Sequence, residues 1–456
     1  MIESILQTII ENKEVLERSL KNSIERNELS VFTKDLKQVL DNAGKKAVAE
    51  VIEQVDEILF QNNKRKKEYE VKEKVTKHLM IEFGNIDFKV RYYQNKQTKE
   101  YIHLATVKLG IEKYSRIDTG VESKIIELSN DLSYSKAGMK VVMGEKLSKT
   151  TVMKKVRKQE LKVIVQKEEK IKKKILYIEA DEDHVSTIGD KISMPKLIYV
   201  HEGRLTIGKR NILKNVYYVG CLGKNSEEVW LEVAEHIANV YDSECLEVVY
   251  LSGDGAGWIK EGLNWIEKSK FVLDKYHLLK YINKATGEHP EYRSKIWYNI
   301  NIGDSVSVEN ILKELIEITG DGTKKEVIRE TLKYILSQWD GIAIYETDGK
   351  NLIGCSAEGH ISHVFADRMS SRPRTWSEDG IDKMSRLRAF TANKGNIYDE
   401  LVKNKKETQK LEKYDRIIKR HIKVGVPNGE TGLRLPIIEN GRACGTRTLL
   451  QGLLYG

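Results

Sequence analysis

The 456-residue chain is poor in cysteine and proline and contains no long apolar run. Its four cysteines lie far apart and form no C-x-x-C pair, so neither a disulfide framework nor a cysteine-based zinc site is indicated, and a reducing compartment is expected. Its five prolines argue against long rigid linkers. The N-terminus lacks a basic segment followed by an apolar core, and no apolar run approaches about 18 residues. We therefore predict a cytoplasmic protein without a membrane span or an export signal.

Positive charge is concentrated in one segment of the chain. The whole sequence carries a net charge of +9, from 77 Lys and Arg against 68 Asp and Glu. Residues 134–174 alone carry 14 Lys or Arg and four Glu, a net charge of +10. This cluster indicates contact with a polyanion, although a solvated helix face would have the same composition. The side chains that we expect to contact phosphates here are Lys149, Lys154, Lys155, Arg157 and Lys158.

Hydrophobic periodicity divides the first 170 residues into three regions. Apolar residues first recur at helical spacing, up to a polar cluster at 61–67. They then alternate with polar residues on both sides of a break at 95–97, which predicts a β-hairpin. Short helices follow, the last one basic and preceded by Ser148 as a candidate N-cap. This order resembles a helix-turn-helix, and a plain helical connector is the alternative.

A mixed α/β domain is predicted from about residue 171. Three strand-like runs, a helix, a strand, a helix and a last strand follow one another, which is the element order of the RNase H-like fold, a mixed sheet flanked by helices. A return to helical periodicity then predicts an all-helical insertion. The predicted regions are helical (1–80), β-hairpin (81–115), basic and helix-turn-helix-like (116–170), catalytic sheet domain (171–277), helical insertion (278–350), second part of the sheet domain (351–380) and basic helical C-terminal region (381–456).

Three carboxylates stand where a metal site for phosphoryl transfer would need them. Asp181 ends the apolar strand KILYIEAD, and Asp254 ends the strand VVYLSGD among glycines that leave it open to a metal and water. Glu358 lies in the first turn of a predicted helix that Ser356 would cap. Such carboxylates are the ligands that Mg²⁺, or Mn²⁺ in its place, uses in this chemistry. The alternatives are a crowded strand terminus, a simple Asp-Gly turn and an ordinary capping glutamate.

Further polar residues accompany these carboxylates. Asp183 is an alternative to Asp181 as the first ligand, or a partner beside it. Asp274 and His277 follow the strand FVLD three residues apart, where they could be a helix cap and a buried histidine, or groups that support catalysis with His277 neutral.

Cationic and imidazole side chains follow Glu358. A zinc site at His360 and His363 lacks a convincing further ligand. The arginines in this stretch, which we expect to contact DNA phosphates, are Arg368, Arg372 and Arg374.

Taken together, these motifs resemble a family of bacterial insertion-sequence transposases, long catalogued as uncharacterised proteins and related to the Mutator-like DDE transposases. The resemblance implies an RNase H-like domain whose acidic triad is Asp181, Asp254 and Glu358. It also makes Asp274 and His277 the Asp-x-x-His form of a motif close to the active site. The matching stretches are FGNIDFKVRYY, SYSKAG, LSKTTV, LYIEADEDHV, YLSGDGAGWI, FVLDKYHL and CSAEGHISHVFADRMSSRPRTWS.

The function that this resemblance implies is Mg²⁺-dependent DNA cleavage and strand transfer. The expected partners are the terminal inverted repeats of an insertion sequence, which the basic segment would bind, and target DNA. Pairing of two ends implies a homodimer or a higher assembly on DNA, in the bacterial cytoplasm at the nucleoid. Two alternatives are a structure-selective nuclease of the same fold and a non-catalytic DNA-binding regulator.

Overall fold

The computed structural model describes residues 2–407 apart from residues 209, 224 and 373. Its chain divides into two compact units, Met1–Asn396 and Ile397–Gly456. The second unit is described only as far as residue 407, and this part is helical. Most of the predicted basic C-terminal helix therefore lies outside the described residues. None of the helices in the described part of the chain combines the length and apolar character needed to cross a bilayer.

The N-terminal region is helical as far as Glu68, where a strand replaces the last part of the predicted helical region. The long third helix packs through Ile52 against a sheet that contributes Leu79 and Phe88. The stretch from Tyr69 alternates charged and apolar residues, and this period of two favours a strand. The helices are α1 (Ile2–Glu11), α2 (Lys13–Glu25), α3 (Leu29–Gln61) and α4 (Asn63–Glu68).

The predicted β-hairpin around residues 95–97 is present in a short form, and a longer hairpin that was not predicted precedes it. Tyr93 pairs with Ile102 and Gln94 with Tyr101 across the predicted break, and Ile81 pairs with Gly84, so the chain also reverses at residues 82–83. Gly84 adopts a φ of +126°, which only glycine tolerates readily, and this explains the tight turn. The predicted second strand is reduced to two residues before a short helix. The elements are β1 (Tyr69–Ile81), β2 (Gly84–Asn95), β3 (Tyr101–Ile102) and α5 (Leu104–Lys108).

Three short helices form the predicted basic region and pack on one another. Each begins at a side-chain cap, as the sequence predicted for Ser148, whose Oγ accepts a hydrogen bond from the Thr151 N–H at 3.1 Å. Asp118 and Ser133 cap the two preceding helices in the same way. The helices are α6 (Thr119–Asp131), α7 (Tyr134–Lys140) and α8 (Lys149–Arg157).

A five-stranded mixed sheet forms the centre of the molecule, with strand order β10-β7-β4-β11-β12. The first three strands are antiparallel neighbours, and β11 runs parallel to both β4 and β12. Two short hairpins between these strands were not predicted, because their strands are three or four residues long. The strands are β4 (Ile175–Glu182), β5 (Val185–Thr187), β6 (Lys191–Ser193), β7 (Lys196–His201), β8 (Arg204–Ile207), β9 (Arg210–Leu213), β10 (Tyr217–Cys221), β11 (Val248–Gly253) and β12 (Ser269–Leu273).

Helices cover the sheet, and the regular elements of the predicted insertion between the last strand and the Glu358 helix are all helices in the described part of the chain. Its apolar residues join those of the sheet in one continuous core. The helices are α9 (Ser226–Val240), α10 (Gly257–Lys260), α11 (Lys275–Ala285), α12 (Tyr292–Asn301), α13 (Ser305–Ile318), α14 (Gly322–Ser337), α15 (Trp339–Thr347), α16 (Ala357–Ile361), α17 (Asp367–Met369) and α18 (Glu378–Ala392), with a π-helical turn at Ser362–Ala366.

The two faces of β4 differ in character. Leu176, Ile178 and Ala180 point into the main apolar core, together with Trp230 of α9. Because side chains alternate along a strand, the opposite face carries Tyr177, Glu179 and Asp181. This polar face, at the centre of the sheet, is where the candidate site lies.

Candidate active site

Asp181 is placed at the end of the central strand β4, where other charged groups act on it. Burial, together with the charges of Asp254 and Glu358, raises its pKa from 3.8 to about 6. A hydrogen bond from the Glu182 N–H, at 2.8 Å, and the charge of His277 act in the opposite direction. These side chains therefore surround one site.

Asp254 follows the neighbouring strand β11, and its loop is held by the insertion. The carboxylate accepts a hydrogen bond from the Ala256 N–H at 2.9 Å, and Gly255 adopts a φ of +91°, so the Asp-Gly pair does form a turn. From α14, the Tyr334 hydroxyl donates to the Asp254 carbonyl at 2.7 Å. The Asp-Gly turn thus carries the candidate ligand, and Tyr334 of the insertion holds the loop in place.

Glu358 lies in the first turn of α16, as predicted, and is exposed. The prediction that the Ser356 side chain caps this helix is wrong. Ser356 occupies the N-cap position, but its hydroxyl donates to the Glu179 carboxylate at 3.0 Å. The hydroxyl therefore binds a buried carboxylate on the sheet and not a backbone N–H at the start of the helix.

Asp183 is buried and engaged within the protein. The Ser370 hydroxyl lies 2.9 and 2.8 Å from its two carboxylate oxygens, and the His184 N–H donates to it at 2.9 Å. Burial also raises its pKa. Since Asp183 fastens the end of β4 to the chain after α17, Asp181 is the better placed of the two to face Asp254.

Asp274 is a helix cap, one of the two roles that the sequence left open, and it also contacts His277. Asp274 caps α11 by accepting from the Tyr276 N–H at 3.0 Å, and its second oxygen lies 3.0 Å from His277 Nδ1. This hydrogen bond raises the pKa of His277 against the effect of burial, and the charges of Asp274, Asp181 and Asp254 add to the rise. The pKa of His277 is therefore shifted above that of a free imidazole, in the direction opposite to the one that the expected neutral ring would need.

The chemistry of these carboxylates suits a divalent cation, but their present spacing does not. Burial first, and then the charges of Asp254 and Glu358, raise the pKa of Asp181, and a bound cation would relieve that repulsion. However, among residues 2–407 no group of three or more His, Cys, Asp or Glu side chains has the spacing needed to hold a metal ion. The candidate ligands are present, but they do not lie close enough together to form a complete coordination shell. His360, the basis of the zinc alternative, instead contacts the Tyr218 hydroxyl at 2.9 Å through Nδ1.

Arg368 does not face solvent, and the prediction that it contacts DNA is wrong. Its side chain is 3% exposed, donates from Nε to the Ser129 carbonyl at 3.0 Å, and stacks on the ring of Trp376. Burial lowers its pKa to about 10. Arg374 donates to the Arg368 carbonyl at 2.8 Å, whereas Arg372 is exposed. Of the three arginines, Arg372 is the one best placed for phosphate contact.

The basic helix α8 is also only partly available. Lys155 is mostly buried and pairs with Glu122 at 2.9 Å. Arg157 contacts Ser377 and Asp379 at the start of α18. The prediction of phosphate contact is therefore wrong for Lys155 and Arg157, because both side chains form ion pairs within the protein. The exposed members of the predicted set are Lys149, Lys154 and Lys158.

The sequence analysis missed a buried cluster around Glu179. This residue is 1% exposed, and its carboxylate contacts His201, Tyr199 and Ser356. Burial alone would raise its pKa, but the hydrogen bonds from these three residues lower the pKa of Glu179 to about 2. The signal that could have found it is its register: Glu179 and Asp181 are two residues apart in a strand and so share a face.

The comparisons with known proteins place the chain in a family. Residues 20–407 match the model of an uncharacterised protein family, UPF0236. The chain belongs to this family. It is 39% identical to a UPF0236 protein of Caldanaerobacter subterraneus subsp. tengcongensis whose name joins eleven loci, over 100% of this chain and 97% of that protein. It is 40% identical to UPF0236 protein TTE2489 of the same organism, over 92% of this chain and 91% of that protein. It is 24% identical to the UPF0236 protein in vanSb 3′ region of Streptococcus gallolyticus, over 82% of each chain.

Proposed function

We propose that this UPF0236 protein is a DNA transposase with an RNase H-like catalytic domain. The observation that carries the proposal is electrostatic: Asp254 and Glu358, far from Asp181 in sequence, both act on the Asp181 carboxylate. Their placement supports it, with Asp181 ending the central strand and Asp254 following its parallel neighbour. The strand order, with three antiparallel strands followed by two parallel ones, supports the RNase H-like assignment.

In this proposal, Asp181, Asp254 and Glu358 would hold Mg²⁺ or Mn²⁺. When bound, the metal supplies activation of the attacking oxygen and stabilisation of the leaving oxygen in phosphoryl transfer. His277, oriented by Asp274, lies beside these carboxylates, where its ring would hydrogen-bond a DNA phosphate.

The surface and the names of the relatives add further support. Lys149, Lys154, Lys158 and Arg372 are exposed and can contact the DNA backbone. The name of one relative joins eleven loci of one genome, and the name of another joins four. A protein encoded at many loci of one genome is what repeated copying of a mobile element produces.

Labelled DNA that carries the inverted repeats flanking the gene tests this function. We expect cleavage at the repeat ends that requires Mg²⁺ or Mn²⁺, and strand transfer into a plasmid. Asp254→Asn and Glu358→Gln should each abolish cleavage while leaving DNA binding largely intact. Cleavage without transfer would indicate a structure-selective nuclease, and binding without cleavage would indicate a regulator. A variant that retains the wild-type rate would remove its residue from the set of ligands.

A further inference from the structure

A buried carboxylate without a part in the proposed chemistry lies beneath the helix that carries Glu358. Glu179, in the middle of β4, reaches across to the chain just before α16. One carboxylate oxygen lies 3.0 Å from His201 Nε2 on β7. The other oxygen accepts hydrogen bonds from the Tyr199 hydroxyl and from both the backbone N–H and the hydroxyl of Ser356. The carboxylate thus joins two strands of the sheet to the start of α16.

Every partner of this carboxylate is a hydrogen-bond donor. The Gly203 N–H donates to His201 Nδ1 at 3.2 Å, so Nδ1 carries no proton and the ring proton is on Nε2, facing Glu179. The Ser356 N–H is a donor by nature, and the two hydroxyls can donate to an ionised carboxylate. The position therefore requires a group that only accepts, which an ionised carboxylate is and an amide is not.

The helix that bears Glu358 is fastened on both sides of that residue. Ser356, two residues before it, is held by Glu179. His360, two residues after it, stacks on the Tyr199 ring at a centroid distance of 4.4 Å, and its Nδ1 lies 2.9 Å from the Tyr218 hydroxyl. Tyr199 takes part in both attachments. The exposed Glu358, on a helix of only five residues, is thus held in position by buried residues on the polar face of the sheet.

We propose that Glu179 is a positioning residue that sets the location of Glu358 relative to Asp181 through Ser356 and α16. The part that Glu358 plays in catalysis rests on the proposed function, whereas the fastening of α16 does not. Glu179 and Asp181 both belong to β4. This strand therefore places Asp181 at the site, and through Glu179 it also holds the helix that carries Glu358. Groups that orient metal ligands in this way typically change activity by roughly 10- to 100-fold when they are altered.

Glu179→Gln is the informative substitution, because it keeps the shape of the side chain. Its amide NH₂ must face either His201 or the donors from Tyr199 and Ser356, so one donor meets another. His201 cannot relieve the clash by moving its proton to Nδ1, because the Gly203 N–H already points at that atom. Tyr250→Phe is the matched control: it removes a hydrogen bond at the same polar face, made by the Tyr250 hydroxyl to Asp348 at 2.9 Å, without touching Glu179.

Hydrogen–deuterium exchange, read by mass spectrometry on the full chain, tests the fastening directly. In Glu179→Gln, amides of residues 356–366 should exchange roughly 10-fold faster, while those of α9 stay at the wild-type rate. Tyr250→Phe should leave residues 356–366 unchanged. If Glu179→Gln fails to fold, Tyr199→Phe, which keeps the ring and removes one donor, should give a smaller acceleration in the same segment. The proposal is overturned if residues 356–366 exchange at the wild-type rate in Glu179→Gln, or in Tyr199→Phe when that is the variant that folds.

A cleavage assay tests the consequence for catalysis. At saturating Mg²⁺, Glu179→Gln should cleave repeat-end DNA about 10- to 100-fold more slowly, with the DNA affinity of the wild type. Faster exchange with an unchanged rate would overturn the positioning of Glu358 while leaving the fastening intact. If the wild type itself does not cleave, the proposed function fails, and the exchange experiment still decides whether Glu179 holds α16.

Discussion

Replacing Asp181 by Asn should stabilise the metal-free protein at neutral pH although it abolishes the proposed activity. In the folded chain the carboxylate is partly buried and repelled by Asp254 and Glu358, which raises its pKa from 3.8 to about 6. A neutral amide escapes both effects. Its oxygen can still accept the hydrogen bond that the Glu182 N–H donates at 2.8 Å.

The size of this effect follows from the pKa of Asp181. One pKa unit corresponds to about 1.4 kcal/mol, so the rise to about 6 is worth up to roughly 3 kcal/mol in free energy of unfolding. Because Asp181 is only partly buried, screening by solvent reduces this to about 1–2 kcal/mol. A folded-state pKa above the unfolded value means that stability is lost as pH rises from 3.8 to about 6. The gain from Asp181→Asn should therefore be absent near pH 3.8 and complete above pH 6.

Thermal unfolding in EDTA, followed from acidic to neutral pH, measures this effect. Asp181→Asn should raise Tm at pH 7 by roughly 1–4 °C and match the wild type at the acidic end. The control is Asp348→Asn, which removes the same charge but replaces the ion pair with Lys270, which lowers the pKa of Asp348, by a weaker neutral hydrogen bond, so its Tm should not rise. Adding Mg²⁺ should raise Tm of the wild type more than that of Asp181→Asn. A lower Tm for Asp181→Asn at pH 7, or a gain independent of pH, would refute the reasoning.

Four further variants test separate parts of the structure. His277→Ala should lower the cleavage rate by about one to a few orders of magnitude with DNA affinity unchanged, and a wild-type rate at every Mg²⁺ concentration would make the residue structural. Replacing Lys154 and Lys158 by Ala should reduce the slope of log K against log salt by roughly one unit for each phosphate that the protein no longer neutralises, whereas an unchanged slope would mean a solvated face. Arg368→Ala should lower the free energy of unfolding by about 2–4 kcal/mol in a denaturation experiment, and a stable variant with weaker DNA binding would contradict its structural role. Gly255→Ala should cost about 1–3 kcal/mol, because its φ is +91° and a Cβ would meet the α14–α15 junction, and an unchanged Tm would contradict this.

The strands that form the centre of the sheet could be predicted because burial on both faces leaves a clear sequence pattern. β4, β11 and β12 are short, largely apolar runs, and Asp181 and Asp254 are recognisable as acidic residues at the ends of the first two. The turns of the N-terminal sheet were harder. The break containing Asn and Lys at residues 95–97 was recognised as a turn, but the less conspicuous Gly84, whose positive φ sets the turn at residues 82–83, was not.

The residues that were misjudged depend on partners distant in sequence. Arg368 looks like a DNA-binding arginine until Ser129 and Trp376 are seen around it. Glu179 looks like one of several acidic residues until its contact with Ser356, 177 positions away, is known. Local periodicity gives the face on which a side chain lies, but it does not give the group that the fold brings opposite to that face.

The apolar core that the helical insertion shares with the sheet has a consequence for how the protein opens. Ile282, Ile296 and Ile335 belong to the same continuous cluster as Leu251 of β11. The insertion is therefore not a detachable lobe, and melting its helices would expose the sheet and release the Tyr334 hydroxyl from the Asp254 loop. Loss of these helices would therefore reach the Asp254 loop through the shared core, with local unfolding as the link.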